Sequence, residues 1–136
     1  MPIIQHPQGD ILHGMKKSDN EYPGFGEAYF SKINHGEIKG WNKHKMMTLN
    51  LVVPIGEVTF VIYDDRKDSD KKGSYFTVSL SQINYQRLTV PPELWMAFKG
   101  IDTKTNLILN IANIEHDPNE IDRLDLDRID YNWESK

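Results

Sequence analysis

Between Gly36 and Gly56 the chain reads GEIKGWNKHKMMTLNLVVPIG, and the spacing of its polar residues constrains the fold more than any other feature. Asn42 and His44 stand two apart, and in a β-strand residues two apart share a face. Both side chains therefore point toward whatever that strand encloses. The rest of the chain reads as a succession of short strands: EAYFSKI, MMTLNLVVPIG, VTFVIYDDR, YFTVSLS, QRLTVPP, MAFKGI and NLILNIANI, with a further short one in DILHGMKK. Turn formers separate them, at Asn34-His35-Gly36, at KDSDKKGS and near Asn84, and MMTLNLVVPIG is expected to be halted by Pro54 and Gly56. Short strands joined by polar turns predict an antiparallel sandwich or barrel. The fold expectation is all-β.

The 136 residues suit a single domain with one core. Residues 1–9 read as an N-terminal arm or loose edge, and residues 117–136 as an acidic C-terminal tail. Within that tail EIDRLDLDRI has the pattern of a helical turn, and Asp122 to Asp130 reads as a solvated face. A net charge of −4 with 26% charged residues argues against a nucleic-acid partner. The absence of cysteine removes disulfides and thiolate metal sites and fits a reducing compartment. No signal-peptide pattern and no span of transmembrane length occurs, so the expectation is a cytoplasmic protein with no membrane partner.

The frame Gly36, Asn42, His44, Leu49, Gly56 resembles the first signature of the cupin β-barrels, in which two inward histidines are followed by a glutamate. Pro91-Pro92-Glu93-Leu94-Trp95-Met96 is where the second signature fits, with a glycine expected at position 93 and a third histidine at position 96. The resemblance implies a jelly-roll barrel of antiparallel strands. Of the metal-ligand positions only His44 keeps a ligand side chain, since Asn42, Leu49 and Met96 occupy the others. A divalent transition metal generally needs three N, O or S ligands, so neither a metal nor another cofactor is expected. His6, His13, His35 and His116 lie at no paired spacing and read as surface or turn residues.

Further residues resemble the dTDP-4-dehydrorhamnose 3,5-epimerase family, a branch of the cupins that works without metal. They are GEIKGWNKH, the strand GEVTFVIYDDR with Asp64, Arg66 and the following Ser69, the LSQIN turn before QRLTVPP, and Trp133. The resemblance covers roughly residues 9–133 and implies removal and return of a proton beside the ketone of a nucleotide-linked 4-keto sugar, in surface-polysaccharide or glycan precursor synthesis. The positions of that family's histidine base, lysine and tyrosine fall on Asn42, Leu49 and Asn110. None of the three side chains present can do the corresponding chemistry. Lys39-Gly40-Trp41-Asn42-Lys43-His44-Lys45 is also similar to the motif of the nucleotide-sugar 3,4-ketoisomerases, whose second histidine is implicated in proton transfer. That histidine corresponds to His44.

His44 is thus the candidate catalytic acid/base, against the alternative of an interior histidine that is merely hydrogen-bonded. Lys39, Asn42, Lys45, Arg66 and Asn110 are the candidate substrate-binding residues. Arg66 and Lys39 are cations suited to an anionic nucleotide sugar, or alternatively to ion pairs at the barrel rim. Asn110 is an amide inside an apolar run and must find a partner, whereas Asn50 falls on the face opposite Leu49 and Leu51. Trp41 and Trp95 would stack on a base or sugar, or simply pack. Met46 and Met47 would fill core or dimer space. Two functions remain open: an isomerase or epimerase of nucleotide-linked keto sugars, or a sugar-binding cupin that has lost catalysis. In either case a homodimer is expected, because small antiparallel barrels leave edge strands to be covered.

Overall fold

Residues 1–135 are described in a computed structural model. Within the segment read as an arm, Ile3–Ile4 forms a short strand, β1; the apolar runs that follow form β2 (Ile11–Leu12), β3 (Glu27–Lys32), β4 (Ile38–His44), β5 (Leu49–Ile55) and β6 (Val58–Tyr63). They continue as β7 (Tyr75–Leu80), β8 (Leu88–Val90), β9 (Trp95–Gly100), β10 (Leu107–Ala112) and β11 (Ile121–Arg123). One sheet has the order β3-β10-β5-β8 and the other β11-β4-β9-β6-β7, with β1 and β2 forming a separate small hairpin. Every named pairing is antiparallel. This is a jelly-roll sandwich of the cupin type.

The principal core lies between the two sheets, where Leu51 and Ile108 from one meet Phe60, Val58 and Leu80 from the other. Removing such side chains from water stabilises the fold by roughly 1.5–3 kcal/mol each. A second apolar cluster forms on the outer face of the five-stranded sheet, where Trp41, Val61, Trp95 and Ala97 are covered by Ile129. Leu124, Leu126, Tyr131 and Trp133 pack against it. The C-terminal segment is therefore solvated on one side only: Asp125, Asp127 and Asp130 are exposed, while Leu124, Leu126 and Ile129 turn to the sheet. Its acids alternate with apolar residues that seal the sheet.

The helical turn expected over EIDRLDLDRI is replaced by β11, which extends the sheet beside β4, and by a short 3-10 turn at Leu126–Arg128. Free edges reward pairing more than one turn of an isolated helix does, because a single turn is costly to nucleate. β5 passes through Pro54 and stops directly before Gly56, as that glycine leads one to expect. It runs to Ile55, with its register against β10 shifting between Leu107 and Leu109, the kind of irregularity that accommodates a proline. Trp41 is fully buried, with its ring 6.0 Å from that of Trp133, and Trp95 donates from Nε1 to Asp65 at 2.8 Å. Both indoles pack rather than line the interior. Of the two methionines Met47 is buried while Met46 is exposed.

β4 carries the irregularity that matters most. Lys39 pairs with Phe98 and Asn42 with Met96, so Gly40 and Trp41 together face the single residue Ala97. This bulge resets the alternation. Lys39 and Asn42, three apart in sequence, both turn inward, and Trp41 turns out. Gly40 has φ +146°, and a Cβ there would lie 2.4 Å from Ala97 Cβ and 2.7 Å from its Cα. Only glycine fits without displacing the neighbouring backbone. Gly40→Ala is expected to lower stability by roughly 1–3 kcal/mol through strain and overpacking. An equilibrium urea titration measures this, and an unchanged midpoint would show that the neighbouring strand yields freely.

Candidate active site

Between the sheets lies a cavity of about 220 Å³. Its walls are largely apolar, built from Leu49 and Leu51 of β5, Phe60 of β6, and Met96 and Phe98 of β9. Into it project His44, Asn42 and Lys39 from β4, Asn110 from β10, and Tyr29 and Ser31 from β3. A second hollow of about 380 Å³ adjoins it, sharing Tyr29, Asn42, His44 and Met47 and adding Glu27, His116 and Arg123.

The partner of His44 comes from the C-terminal segment, 76 residues along the chain. Asp117 accepts from Asn119 N and begins a 3-10 turn at Pro118–Glu120 that delivers Glu120 to the imidazole. Glu120 Oε1 meets His44 Nδ1, while Oε2 accepts from the backbone N–H of Met46 at 3.1 Å and of Met47 at 3.2 Å. Glu120 is only 4% exposed. Burial raises the pKa of its carboxyl, but the hydrogen bonds from His44, Met46 and Met47 outweigh that and hold it below the ordinary value. An ionised carboxylate can only accept, so Nδ1 carries a proton toward Glu120, and in the neutral tautomer this selects, Nε2 is the basic nitrogen.

The other expected site residues divide. Asn42 lines the cavity, cross-strand from Met96 and from Arg123. Lys39 lines it too, with its ammonium donating to Lys32 O at 2.7 Å. Asn110 lies on the cavity wall, 2% exposed; its Nδ2 donates to Tyr29 Oη at 3.1 Å, and its Oδ1 is buried without a partner. Lys45 is not a lining residue: its ammonium sits 3.7 Å from Asp122 at the surface. Alternation explains this, since it directly follows the inward His44.

Arg66 is likewise held away from the cavity. It donates from Nε and Nη2 to the two oxygens of Asp64 at 3.0 and 2.8 Å, and Ser69 Oγ donates to Asp64 Oδ2 at 2.7 Å. The hydrogen bond from Arg66 holds the Asp64 carboxyl far below the carboxylate range. Asp64, Arg66 and Ser69 form one knot that closes the loop after β6. Asn50 is fully buried outside the cavity and accepts from Thr89 Oγ1 at 2.6 Å.

Glu120 and Tyr29 were not among the residues singled out by sequence. The signal for Glu120 was slight, a helix-capping Asp-Pro pair three residues before it and an Ile-x-Arg strand directly after. Tyr29 sat in a strand whose role appears only once its register with Asn110 is known. Among the described residues no group of three or more His, Asp or Glu is disposed to hold a metal ion.

Comparison with known proteins places this geometry. No protein-family model matches the chain. A dTDP-sugar isomerase from Desulfovibrio desulfuricans superposes with a TM-score of 0.94 at 30% identity, over 99% of this chain and 88% of that one. The chain belongs to the dTDP-4-dehydrorhamnose 3,5-epimerase-like family of cupins. A dTDP-4-dehydrorhamnose 3,5-epimerase from Sulfolobus tokodaii shares the fold, with a TM-score of 0.82 at 21% identity over 95% of this chain and 76% of that one.

A probable low-salt glycan biosynthesis epimerase from Haloferax volcanii is 31% identical over 105 residues, which is 76% of this chain and 65% of that protein. A spore coat polysaccharide biosynthesis protein from Bacillus subtilis is 24% identical over 133 residues, 95% of this chain and 88% of that protein. This family member thus spans just under two thirds of the Haloferax relative. No helix among its described residues is long and apolar enough to cross a membrane.

Because the folded-state pKa of Glu120 is depressed, the stability it confers is complete above its ordinary value near 4.5 and is lost as pH falls through the depressed one. Glu120→Gln is expected to cost roughly 1.5–3 kcal/mol near neutrality and to flatten the decline of stability below about pH 5. Urea unfolding at neutral and acidic pH would check both. Parallel pH profiles for the two proteins would show that Glu120 is not a source of the acid sensitivity.

Proposed function

We propose that this protein is an isomerase or epimerase that moves a proton beside the ketone of a dTDP-linked 4-keto sugar, in the assembly of a surface polysaccharide or glycan. The observation that carries the reading is the cavity imidazole of His44, whose Nδ1 is fixed by the buried carboxylate of Glu120. Imidazole is the side chain that exchanges a proton most readily near neutral pH. His44 Nε2 would take the proton from the carbon next to the carbonyl, leaving an enolate and an imidazolium stabilised by Glu120. The same nitrogen would return a proton in the reverse sense. Lys39 and Asn42 supply donors within the cavity for the sugar oxygens.

Size supports a division of the ligand. A cavity of about 220 Å³ is below the roughly 300–1,000 Å³ of pockets that take up drug-sized molecules, so the sugar would enter and the nucleotide would lie outside. Arg123 and His116 in the adjoining hollow are better placed for the anionic portion than Arg66, whose charge is committed to Asp64. Enolisation by His44 and Glu120 requires no metal in this scheme. A cytoplasmic location belongs to the same proposal, supported by a chain without cysteine.

We further propose a homodimer. The support is the outer edge of β3, whose strand has a partner on one side alone among the described residues and exposes Phe30, with Phe25 exposed in the chain just before it. An open apolar edge of this kind is a ready pairing surface. Light scattering at micromolar concentration is expected to give twice the chain mass, and a monomeric mass would remove the dimer from the proposal.

Incubation with a dTDP-4-keto-6-deoxyhexose in deuterated water is expected to place deuterium on a ring carbon next to the ketone, read by mass spectrometry and NMR. His44→Asn should slow that exchange by on the order of 100-fold or more. Thermal stabilisation by the nucleotide sugar without any deuterium entry would leave a binding protein in place of an enzyme.

A further inference from the structure

Asn110 and Tyr29 bring an amide and a phenol together on one wall of the cavity. Asn110 of β10 is the direct cross-strand partner of Tyr29 on β3, and both side chains line the cavity together with Leu51, the partner of Asn110 on its other side. Asn110 Nδ2 donates to Tyr29 Oη at 3.1 Å. The phenol accepts that bond with a lone pair, so its own O–H stays free to donate. His44 reaches the same cavity from β4, which belongs to the opposite sheet. A ring held between the sheets would have an imidazole on one face and a phenol on the other.

A second observation points to a ligand at this spot. Asn110 is 2% exposed, and its Oδ1 has no hydrogen-bond partner. A buried amide oxygen left unpaired is costly, and a sugar hydroxyl entering the cavity would satisfy it. Asn110 would then hold the ring and the phenol at once, with its Nδ2–H stabilising the phenolate formed when Tyr29 gives up its proton. Tyr29 is 44% exposed, so it regains that proton from water at the mouth.

We infer that Tyr29 is the second acid of the site, delivering a proton to the face of the ring opposite His44, so that the reaction inverts a carbon next to the ketone. The inference rests on the enolising role of His44. The step balances without a co-reactant. His44 removes the carbon-bound proton, and the C–H electron pair becomes part of the enolate. The enolate carbon takes the Tyr29 proton on its other face as the carbonyl re-forms. Imidazolium and phenolate are then reset by proton exchange with solvent. A single base working alone on one face would exchange that hydrogen or shift the ketone, but would not invert the carbon it deprotonates.

Tyr29→Phe separates the two roles with the same dTDP-4-keto-6-deoxyhexose in deuterated water. Exchange of the ring hydrogen is expected to persist within a few-fold, because His44 is untouched, while formation of the inverted sugar falls by on the order of 100-fold. Should Tyr29→Phe prove unstable, the first turnovers of the unsubstituted protein carry the test. Inverted product should hold solvent deuterium while recovered substrate is still protium. Undiminished inversion by Tyr29→Phe, or inverted product that keeps the substrate's own hydrogen, overturns the role of Tyr29 alone. Exchange or ketone migration without inversion in the unsubstituted protein also overturns it and leaves His44 standing. No exchange at all in the unsubstituted protein overturns both.

Discussion

The buried carboxylate of Glu120 is the interaction on which the rest of this site depends. An isolated carboxylate in an apolar surrounding is strongly disfavoured. Here each oxygen is engaged, one by His44 Nδ1 and the other by two backbone N–H groups of the turn after β4. The main chain contributes as well, since Lys45 N donates to Glu120 O at 2.8 Å. One residue therefore fixes the turn, docks the start of β11 and sets the tautomer of the imidazole. Docking of the C-terminal segment and orientation of the His44 imidazole therefore rest on the same contacts.

The bulge at Gly40 and Trp41 extends that coupling across the sheet. By turning Trp41 outward it creates an apolar outer face, which Ile129 and Trp133 cover. The backbone of Trp41 exchanges two hydrogen bonds of 3.0 Å with Leu124, so the bulge is itself held by the segment it helps to dock. By turning Lys39 and Asn42 inward together, the same bulge puts a cation and an amide on the wall that carries His44. Regular alternation would have placed one of them outside. The polar character of the cavity and the apolar character of the outer face have one local cause.

The strand sequence and the inward face of Asn42 and His44 were legible because period-two alternation survives in the chain. Even the second cupin signature left a trace in the backbone. Glu93 stands where a glycine is expected and adopts φ +73°, the left-handed conformation that favours glycine. Arg66 and Lys45 were misplaced for different reasons. Arg66 carries the right chemistry for an anion, but Asp64 two residues away captures it in a bidentate pair. Lys45 was drawn in by a motif, although alternation already put it outside. Glu120 was hidden because its composition is that of an acidic surface segment, and only long-range pairing of β11 with β4 reveals that it turns inward. Tyr29 required the register of β3 against β10, which no local pattern encodes.

The replacement of polar groups by Leu49 and Met96 fits the charge flow of a carboxylate-imidazole couple. In the proposed reaction, starting from the neutral imidazole, the buried charge before proton transfer is that of Glu120 alone. Afterwards His44 carries a positive charge beside it, and a negative charge has appeared on the substrate oxygen, so the net charge within the site is unchanged. Apolar walls lower the local dielectric and strengthen the attraction between the new imidazolium and its carboxylate. They also leave the developing oxyanion dependent on the few donors that face the cavity, Lys39 and Asn42 among them. The apolar wall and the position of His44 thus act together: the imidazole stands where it meets a buried carboxylate that backbone donors hold ionised, inside walls that strengthen that attraction.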